Sequence, residues 1–510
     1  MENLGLLVFR LDHLAITATT AFSRVQRIAR LVGHEVSHHW FGNLTSIQWW
    51  TYLWLKEGFA RFLEYVFVAR QFPLWDFWTH FVGDIYHTAL TEDAVSRTTH
   101  AVQMEAPEHP RRAIDTFDTI SYGKGACVVR WLQQLLGWDT FTRGVVSFLR
   151  AHRDGVVSAD DFWAAMQEAL VASGKTGCGA LVPIQASLVQ CCREPELPGA
   201  MADVAARMRP WVLEAGHPIV FVAPASAGLR VQQFLVRAST DDAARLVVEP
   251  STLPLLLTAS PLPSSQLSSA SGGASGAVGC DLSGSELGEI ALPPGVAALL
   301  VNASHAGIYR TWYAPELLPA ILAEYAALPP ASRLGLIVDA VAVRQISALL
   351  GDARAAEGAP PLSEWWLPLR YAAAGSWPED VARPSHRCLP SADLLQLLKA
   401  VGDAQDQHAT VIAAVANISL TLLSLTEGES YAPALRRIVA HALRHCLPSI
   451  RAAASSPPWT GARREDSGAG PRQGPVHALP AMAHYAAFDA ASALSPEVAA
   501  QALLVLGAAG

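Results

Sequence analysis

Two histidines four residues apart, one glutamate beside the first and a second glutamate further on set the chemistry open to this sequence. His34-Glu35-Val36-Ser37-His38 is an H-E-x-x-H, and Glu57 follows nineteen residues after the second histidine. On a helix, positions i and i+4 share a face, so His34 and His38 present two imidazoles to one metal ion. Glu35 points to the adjacent edge of that face, within reach of a water on the metal. A carboxylate from a second helix, Glu57, completes a His, His, Glu set and leaves the fourth position of a tetrahedral zinc open. Two surface histidines on a helix would share the spacing, but not the third ligand at this distance or the dense aromatics between. The pattern points to one zinc ion per chain and to hydrolysis. Zinc held this way lowers the pKa of its water toward ~7. Glu35 then takes the proton as general base and delivers it to the leaving amine as general acid.

Two helices must position these groups. Val25, Ile28, Ala29 and Val32 recur at helical spacing ahead of His34, which predicts a helix with one buried apolar face. Glu57, in Leu55-Lys56-Glu57-Gly58-Phe59-Ala60, marks where the second helix should begin, with Phe59, Phe62, Leu63 and Val66 packing inward. Glu64 lies seven residues beyond Glu57 on the same face. It is either a structural glutamate or one that orients a zinc-bound histidine. From Trp75 to Leu170 the pattern stays helical, and Ser158-Ala159-Asp160-Asp161 forms a capping box with Asp in place of Glu. His80 and His87 share a helix face but lack a third ligand, and read as packing or surface histidines.

The stretch from Gly33 to Ala60 resembles the gluzincin zinc aminopeptidases of the alanyl and puromycin-sensitive type, whose signature is H-E-x-x-H-x18-E. The likeness extends to Trp40-Phe41-Gly42-Asn43, Trp49-Trp50 and Trp54-Leu55. Gly33, Ser37 and His39 stand where that family more often has Ala, Ala and Gln, and Lys56 where it usually has Asn; no metal ligand is lost. Thr119 to Ala126 resembles the family's I-S-Y-x-K-G-A, and the resemblance assigns Tyr122 the hydrogen bond to the oxyanion. Met1-Glu2-Asn3-Leu4-Gly5-Leu6, continued by Phe9-Arg10, resembles the tail of G-A-M-E-N-W-G-L. The glutamate of that motif, here Glu2, anchors the substrate's α-ammonium group, and a neutral peptide bond would leave it unpaired. A penultimate residue is poorly held, and the α-amino group of Met1 is near enough to pair with it. In the family this motif lies on an edge strand behind a large N-terminal β domain. The resemblance therefore implies an N-terminally truncated chain, whose targeting segment would be missing with the rest.

The expected fold is mainly α with β. A thermolysin-like helical catalytic domain would span residues 1–172, followed by an insertion or linker over 173–208. Strand-like runs at Pro218–Val222, Leu229–Val236, Arg245–Glu249, Leu253–Thr258, Glu289–Leu292 and Ala298–Asn302 predict a small β sandwich over 209–313. The Ser/Gly-rich stretch Pro261–Ser285 reads as a disordered loop inside it. Asn302 to Tyr313 resembles the strand that ends the family's third domain. Residues 314–510 read as a C-terminal α-helical solenoid of the HEAT/armadillo kind, cut short. Leu435, Ile438, Val439, Ala442, Leu443 and Cys446 form one apolar helical face there, and Arg451–Pro475 is a linker.

The remaining features narrow the function classes. A chain of 510 residues holds several domains. A formal charge of −8 gives no footprint for nucleic acid. No apolar run reaches the ~20 residues of a membrane span. The longest candidate, Val411–Leu425, carries Asn417, Ser419, Thr421 and Ser424 and reads as a buried helix. Seven cysteines, Cys191-Cys192 among them, fit reduced thiols. Together with the lack of a secretory signal they fit a cytoplasmic protein. The sequons at Asn43, Asn302 and Asn417 are best read as chance. The function expected is removal of N-terminal residues from peptides with a free N-terminus. Two alternatives are a truncated homologue that binds zinc or a partner without turnover, and the leukotriene-hydrolase-like epoxide hydrolases. That second branch lacks the third β domain, so the strand ending at Tyr313 argues against it.

Overall fold

The computed structural model describes residues 1–174 apart from 18–19, 21, 96–98, 106–112 and 114–115, and residues 203–262 apart from 227, 239–245 and 252. It also describes 278–282, 287–291, 299–356, 392–425 apart from 407, and 432–444. Cys191-Cys192, Cys446, Arg451–Pro475 and most of the Ser/Gly-rich stretch lie outside the described residues. Within them the chain is mostly helical, with small sheets.

Two helices form the centre. Helix α1 (Phe22–Ser37) buries Val25 and Ile28, and packs along α2 (Leu53–Gln71). Helix α2 begins one turn earlier than Glu57, so that glutamate sits in a formed second turn rather than at a fraying start. Its far side enters an aromatic floor: Phe59 stacks on Phe41 at 4.1 Å and meets Phe162 edge-on at 5.0 Å, while Trp54 stacks on Trp163 at 5.5 Å. Burial of such rings contributes roughly 1.5–3 kcal/mol each and makes the floor rigid.

Helix α3 (Phe77–His80) runs through a π turn (Phe81–Tyr86) into α4 (His87–Val95). A second π turn (Ile120–Lys124) opens into α5 (Gly125–Leu136), followed by α6 (Trp138–Ala151) and α7 (Ala159–Ala172). The capping box forms, with Ser158 and Asp161 bonding each other's backbone. Helices α2 and α5 cross backbone to backbone: a Cβ added at Gly58 would lie 2.9 Å from the carbonyl carbon of Gly125. That contact sets the second π turn directly over the helix that carries Glu57.

Four short strands belong to this half of the chain. β1 (Glu2–Asn3) and β2 (Leu6–Leu7) form a hairpin, and β3 (Thr45–Ile47) pairs in parallel with β4 (Gly155–Val157). β4 corrects the reading of Trp75–Leu170 as helical throughout; three residues are too few to display a strand period. Helix α8 (Val204–Leu213) spans the expected boundary at residue 208 and packs Trp211 against Trp131 of α5 at 4.8 Å.

Next come β5 (His217–Ala225), β6 (Gly228–Ala238), β7 (Leu246–Pro250), β8 (Leu256–Pro261), β9 (Val278–Asp281), β10 (Leu287–Ala291), β11 (Leu299–Val301) and β12 (Arg310–Tyr313). One sheet has the order β10-β6-β5-β12 with β7 also on β6, and another the order β11-β8-β9. β5 and β12 pair in parallel, the other pairs antiparallel. β9 lies inside the stretch expected to be a disordered loop, since Val278–Asp281 closes the β8 edge.

Helices α9 (Leu318–Ala323), α10 (Pro330–Ala356), α11 (Ala392–Ala404), α12 (Ala409–Leu425) and α13 (Ala432–Arg444) follow. Leu435, Val439, Ala442 and Leu443 of α13 are buried, as their spacing predicts. Among the described residues no helix is long and apolar enough to cross a membrane.

Candidate metal centre

His34 in the last turn of α1, His38 just past its end and Glu57 on α2 converge in the buried interior. The His34 and His38 Nε2 atoms are 3.1 Å apart, and each lies 3.3 Å from Glu57 Oε2. Atoms bound at 2.0–2.1 Å to a tetrahedral zinc stand about 3.3 Å from one another, so the three separations match the edges of such a tetrahedron. The tautomers agree. His38 Nδ1 donates to the carbonyl of Phe41 at 3.0 Å, and His34 Nδ1 faces the Glu64 carboxylate at 3.1 Å. The carbonyl only accepts, so His38 Nδ1 carries a proton and its Nε2 lone pair points inward, while the Glu64 carboxylate charge favours a proton on His34 Nδ1 as well.

Glu57 Oε2 is buried and makes no hydrogen bond of good geometry among the described residues. Burial works against its charge, yet the imidazoles of His34 and His38 and the Lys56 ammonium hold the carboxyl well below its ordinary range. Burial likewise opposes a charged His34, but Glu57 and Glu64 outweigh it and push the imidazole up to about 9. The carboxylates thus demand a positive charge at this point. A divalent cation supplies it with neutral imidazoles, and the donor set fits zinc.

Glu64 lies beside His34. It is fully buried, touches His34 Nδ1 and accepts two bonds from Arg61, at 2.9 and 3.2 Å. The Arg61 guanidinium, unanticipated from the sequence, also lies over the Tyr122 ring at 5.5 Å. Tyr122 stacks on His34 with centroids 6.0 Å apart. Burial and the nearby Glu57 charge push its phenol above the ordinary value, so it stays a hydrogen-bond donor. The π turn beneath it is pinned at both ends. Asp118 Oδ1 accepts from Ser121 N at 2.9 Å, and the fully buried Lys124 bonds Asp93 at 2.9 Å and the Gly216 carbonyl at 2.8 Å. Lys124 stands in the motif that identified Tyr122, but nothing local announces a partner more than ninety residues away.

Glu35 lies beside the cluster and is nearly buried. The hairpin brings Glu2 to the same site, tied down by Asn43 Nδ2, which donates to the Glu2 carbonyl at 2.6 Å. The α-amino group of Met1 lies 3.2 Å from Glu35 Oε2 and 3.9 Å from Glu2 Oε2, so an ammonium fits between the two carboxylates. Lys56 Nζ pairs with Glu2 Oε1 and stands 3.3 Å from Glu57 Oε1. All six expected site residues, Glu2, His34, Glu35, His38, Glu57 and Tyr122, therefore meet in one place. His80 and His87 join no group of metal-ligand spacing among the described residues.

A cavity of about 1290 Å³ is lined by His34, Glu35 and Tyr122 and also by Leu334 and Val338 of α10 and Ala414 of α12. It is large enough for several residues of an extended chain.

Residues 1–177 match the model of the peptidase family M1 domain. The chain is similar to Probable aminopeptidase 1 of Saccharolobus solfataricus, 31% identical over 233 residues that make up 46% of this chain and 26% of that protein. It is also similar to Leucyl aminopeptidase of the same organism, 38% identical over 168 residues (33% of this chain, 21% of the relative). Aminopeptidase M1 of Arabidopsis thaliana is 38% identical over 168 residues, 33% of this chain and 19% of the relative. The matched part thus spans about a quarter or less of each relative's length.

Proposed function

From the match of residues 1–177 to the peptidase family M1 domain, we propose that this chain is a zinc aminopeptidase that removes residues from the free N-terminus of peptides. The observation that carries the reading is the convergence of His34 Nε2, His38 Nε2 and Glu57 Oε2 at tetrahedral separations, with Glu35 and Tyr122 at the rim. Bound there, zinc would polarise the scissile carbonyl and acidify water. Glu35 accepts the proton of the attacking water and passes it to the leaving amine. The Tyr122 hydroxyl donates to the carbonyl oxygen as charge develops on it. Glu2 pairs with the substrate's α-ammonium and so selects chain ends over internal bonds.

The cavity gives this reading a substrate dimension. It is lined both by His34, Glu35 and Tyr122 and by side chains of α10 and α12, which supports a peptide-sized substrate. The division of the chain that accompanies the reading is a thermolysin-like catalytic domain over 1–172, a join over 173–208, a β sandwich over 209–313 and a helical solenoid over 314–510. Helix α8 bridges the second and third of these and packs on the first.

The test is hydrolysis of leucyl amide and N-acetyl-leucyl amide reporters by the purified 510-residue chain, with and without a chelator. Turnover of the free-amine reporter, lost on chelation and restored by zinc, supports the reading. Chelator-insensitive turnover, or none with zinc bound, overturns it.

A further inference from the structure

The turn that carries Tyr122 is anchored by a histidine–aspartate pair outside the metal centre. His100, in the stretch after α4, directs Nε2 at Asp118 Oδ2, 2.5 Å away, and Nδ1 at the Ala101 carbonyl, 2.7 Å away. Asp118 turns its other oxygen, Oδ1, to the Ser121 N–H at 2.9 Å, and its carbonyl accepts from Tyr122 N at 3.1 Å. Phe117, just before it, sets its ring 6.3 Å from that of Tyr122. The tyrosine in turn stacks on His34. His100, Asp118, the π turn and Tyr122 thus form one continuous linkage.

Both ring nitrogens of His100 face acceptors. Only the imidazolium donates from both, and the neutral ring must turn a lone pair on the carbonyl or on the carboxylate. Burial opposes the charge on His100, but Asp118, the Ala101 carbonyl and, from α4, Asp93 outweigh it and raise the imidazole above its ordinary value. Asp93 is itself paired with Lys124, so the contact with Asp118 is the one that changes when the proton leaves. Burial likewise works against the Asp118 charge, yet His100 and the Ser121 N–H hold that carboxyl below its ordinary range. A carboxylate gripped at one oxygen keeps the other aimed at the turn; with His100 neutral that grip is lost and the turn loosens. Taking the role of Tyr122 from the aminopeptidase reading, we propose that His100 is a positioning residue, acting through Asp118 to hold Tyr122 in place only while both its ring nitrogens are protonated. The hold is complete at low pH and is lost as pH rises through the raised value.

The experiment compares the 510-residue chain with His100→Ala, His100→Gln and each of these combined with Tyr122→Phe. Glutamine keeps an N–H donor near the Nε2 position but does not titrate, and it carries the comparison if alanine disturbs folding. Hydrogen exchange over residues 118–124 is measured by mass spectrometry on metal-free protein. On zinc-loaded protein, kcat and KM for the leucyl amide reporter are followed as a function of pH. His100→Ala should speed exchange in the turn and lower kcat, each by on the order of tenfold, with KM within about twofold. His100→Gln should recover most of both losses, and the fall in kcat that accompanies loss of the His100 proton should be absent from it. In the Tyr122→Phe background His100→Ala should cost no further kcat, because the group it positions is gone. A kcat loss of equal size in both backgrounds overturns the proposal. So does turn exchange unchanged in His100→Ala, or the wild-type pH profile retained in His100→Gln. Because exchange is read without turnover, a chain that hydrolyses nothing yet shows the exchange pattern would sink the aminopeptidase reading and leave the hold of His100 on the turn standing.

Discussion

Two buried carboxylates, Glu57 and Asp339, sit in charged clusters of similar composition and opposite character. Asp339 of α10 accepts five bonds: Oδ1 from Tyr86 Oη and Arg310, both at 3.2 Å, and Oδ2 from His305 at 3.1 Å, Thr311 N at 2.9 Å and Thr311 Oγ1 at 3.0 Å. Its donors come from α4's π turn, from the loop after β11 and from β12, so it joins three parts of the chain. Every lone pair is spoken for, and no room is left for a ligand. Glu57 instead turns Oε2 toward two imidazole lone pairs and finds no good donor. A carboxylate saturated by donors is a joint, whereas one whose oxygen faces other acceptors across a common point is arranged to share a cation.

The two should break differently. At the metal centre, Glu35→Gln is predicted to lower kcat by about 10²–10⁴-fold with zinc content and unfolding free energy near wild type, checked by steady-state kinetics, metal analysis and denaturant titration on one preparation. Tyr122→Phe should lower kcat by about 10²-fold, with little change in KM, since the hydroxyl acts on charge that appears only in the transition state. At the joint, Asp339→Asn removes the charge opposite buried Arg310 and turns one acceptor oxygen into a donor facing donors, and should cost about 3–5 kcal/mol in denaturant titration. The folded fraction of that variant should still bind zinc. Loss of zinc without loss of stability there would erase the distinction between the clusters.

A third buried group sharpens the contrast through pH. His217 at the start of β5 is fully buried, and burial pushes its imidazole down to about 4 despite Asp93 nearby. A lowered value means the unfolded chain binds the proton first, so stability falls as pH drops from about 6.5, the unfolded value, toward about 4. The loss should reach about 3 kcal/mol, and His217→Phe should flatten it over that window in acid-unfolding curves.

How much of this was legible in the sequence depends on how far apart the partners lie. His34, Glu35, His38 and Glu57 fall within one short stretch, and helical periodicity alone puts them on facing surfaces. Glu64 was legible from the same periodicity, with its role left open until Arg61 and His34 were seen to flank it. Lys56 stood out as a residue type, but its partner Glu2 is 54 positions away and arrives on a hairpin. The Tyr86–Asp339 contact joins residues 253 apart, and no pattern in either segment announces it. Strands β4 and β9 were missed because one is embedded in a helical stretch and the other in a Ser/Gly-rich one, whereas β5 and β6, nine and eleven residues long, were found.

The most direct test of the metal assignment is zinc stoichiometry by elemental analysis on the wild-type chain and on Glu57→Ala, both dialysed against zinc-free buffer after loading. About one zinc per wild-type chain, and essentially none in the variant while it remains folded by circular dichroism, is the predicted outcome. Zinc retained at one per chain after Glu57→Ala, or never taken up by folded wild-type protein, would contradict the assignment of His34, His38 and Glu57 as its ligands.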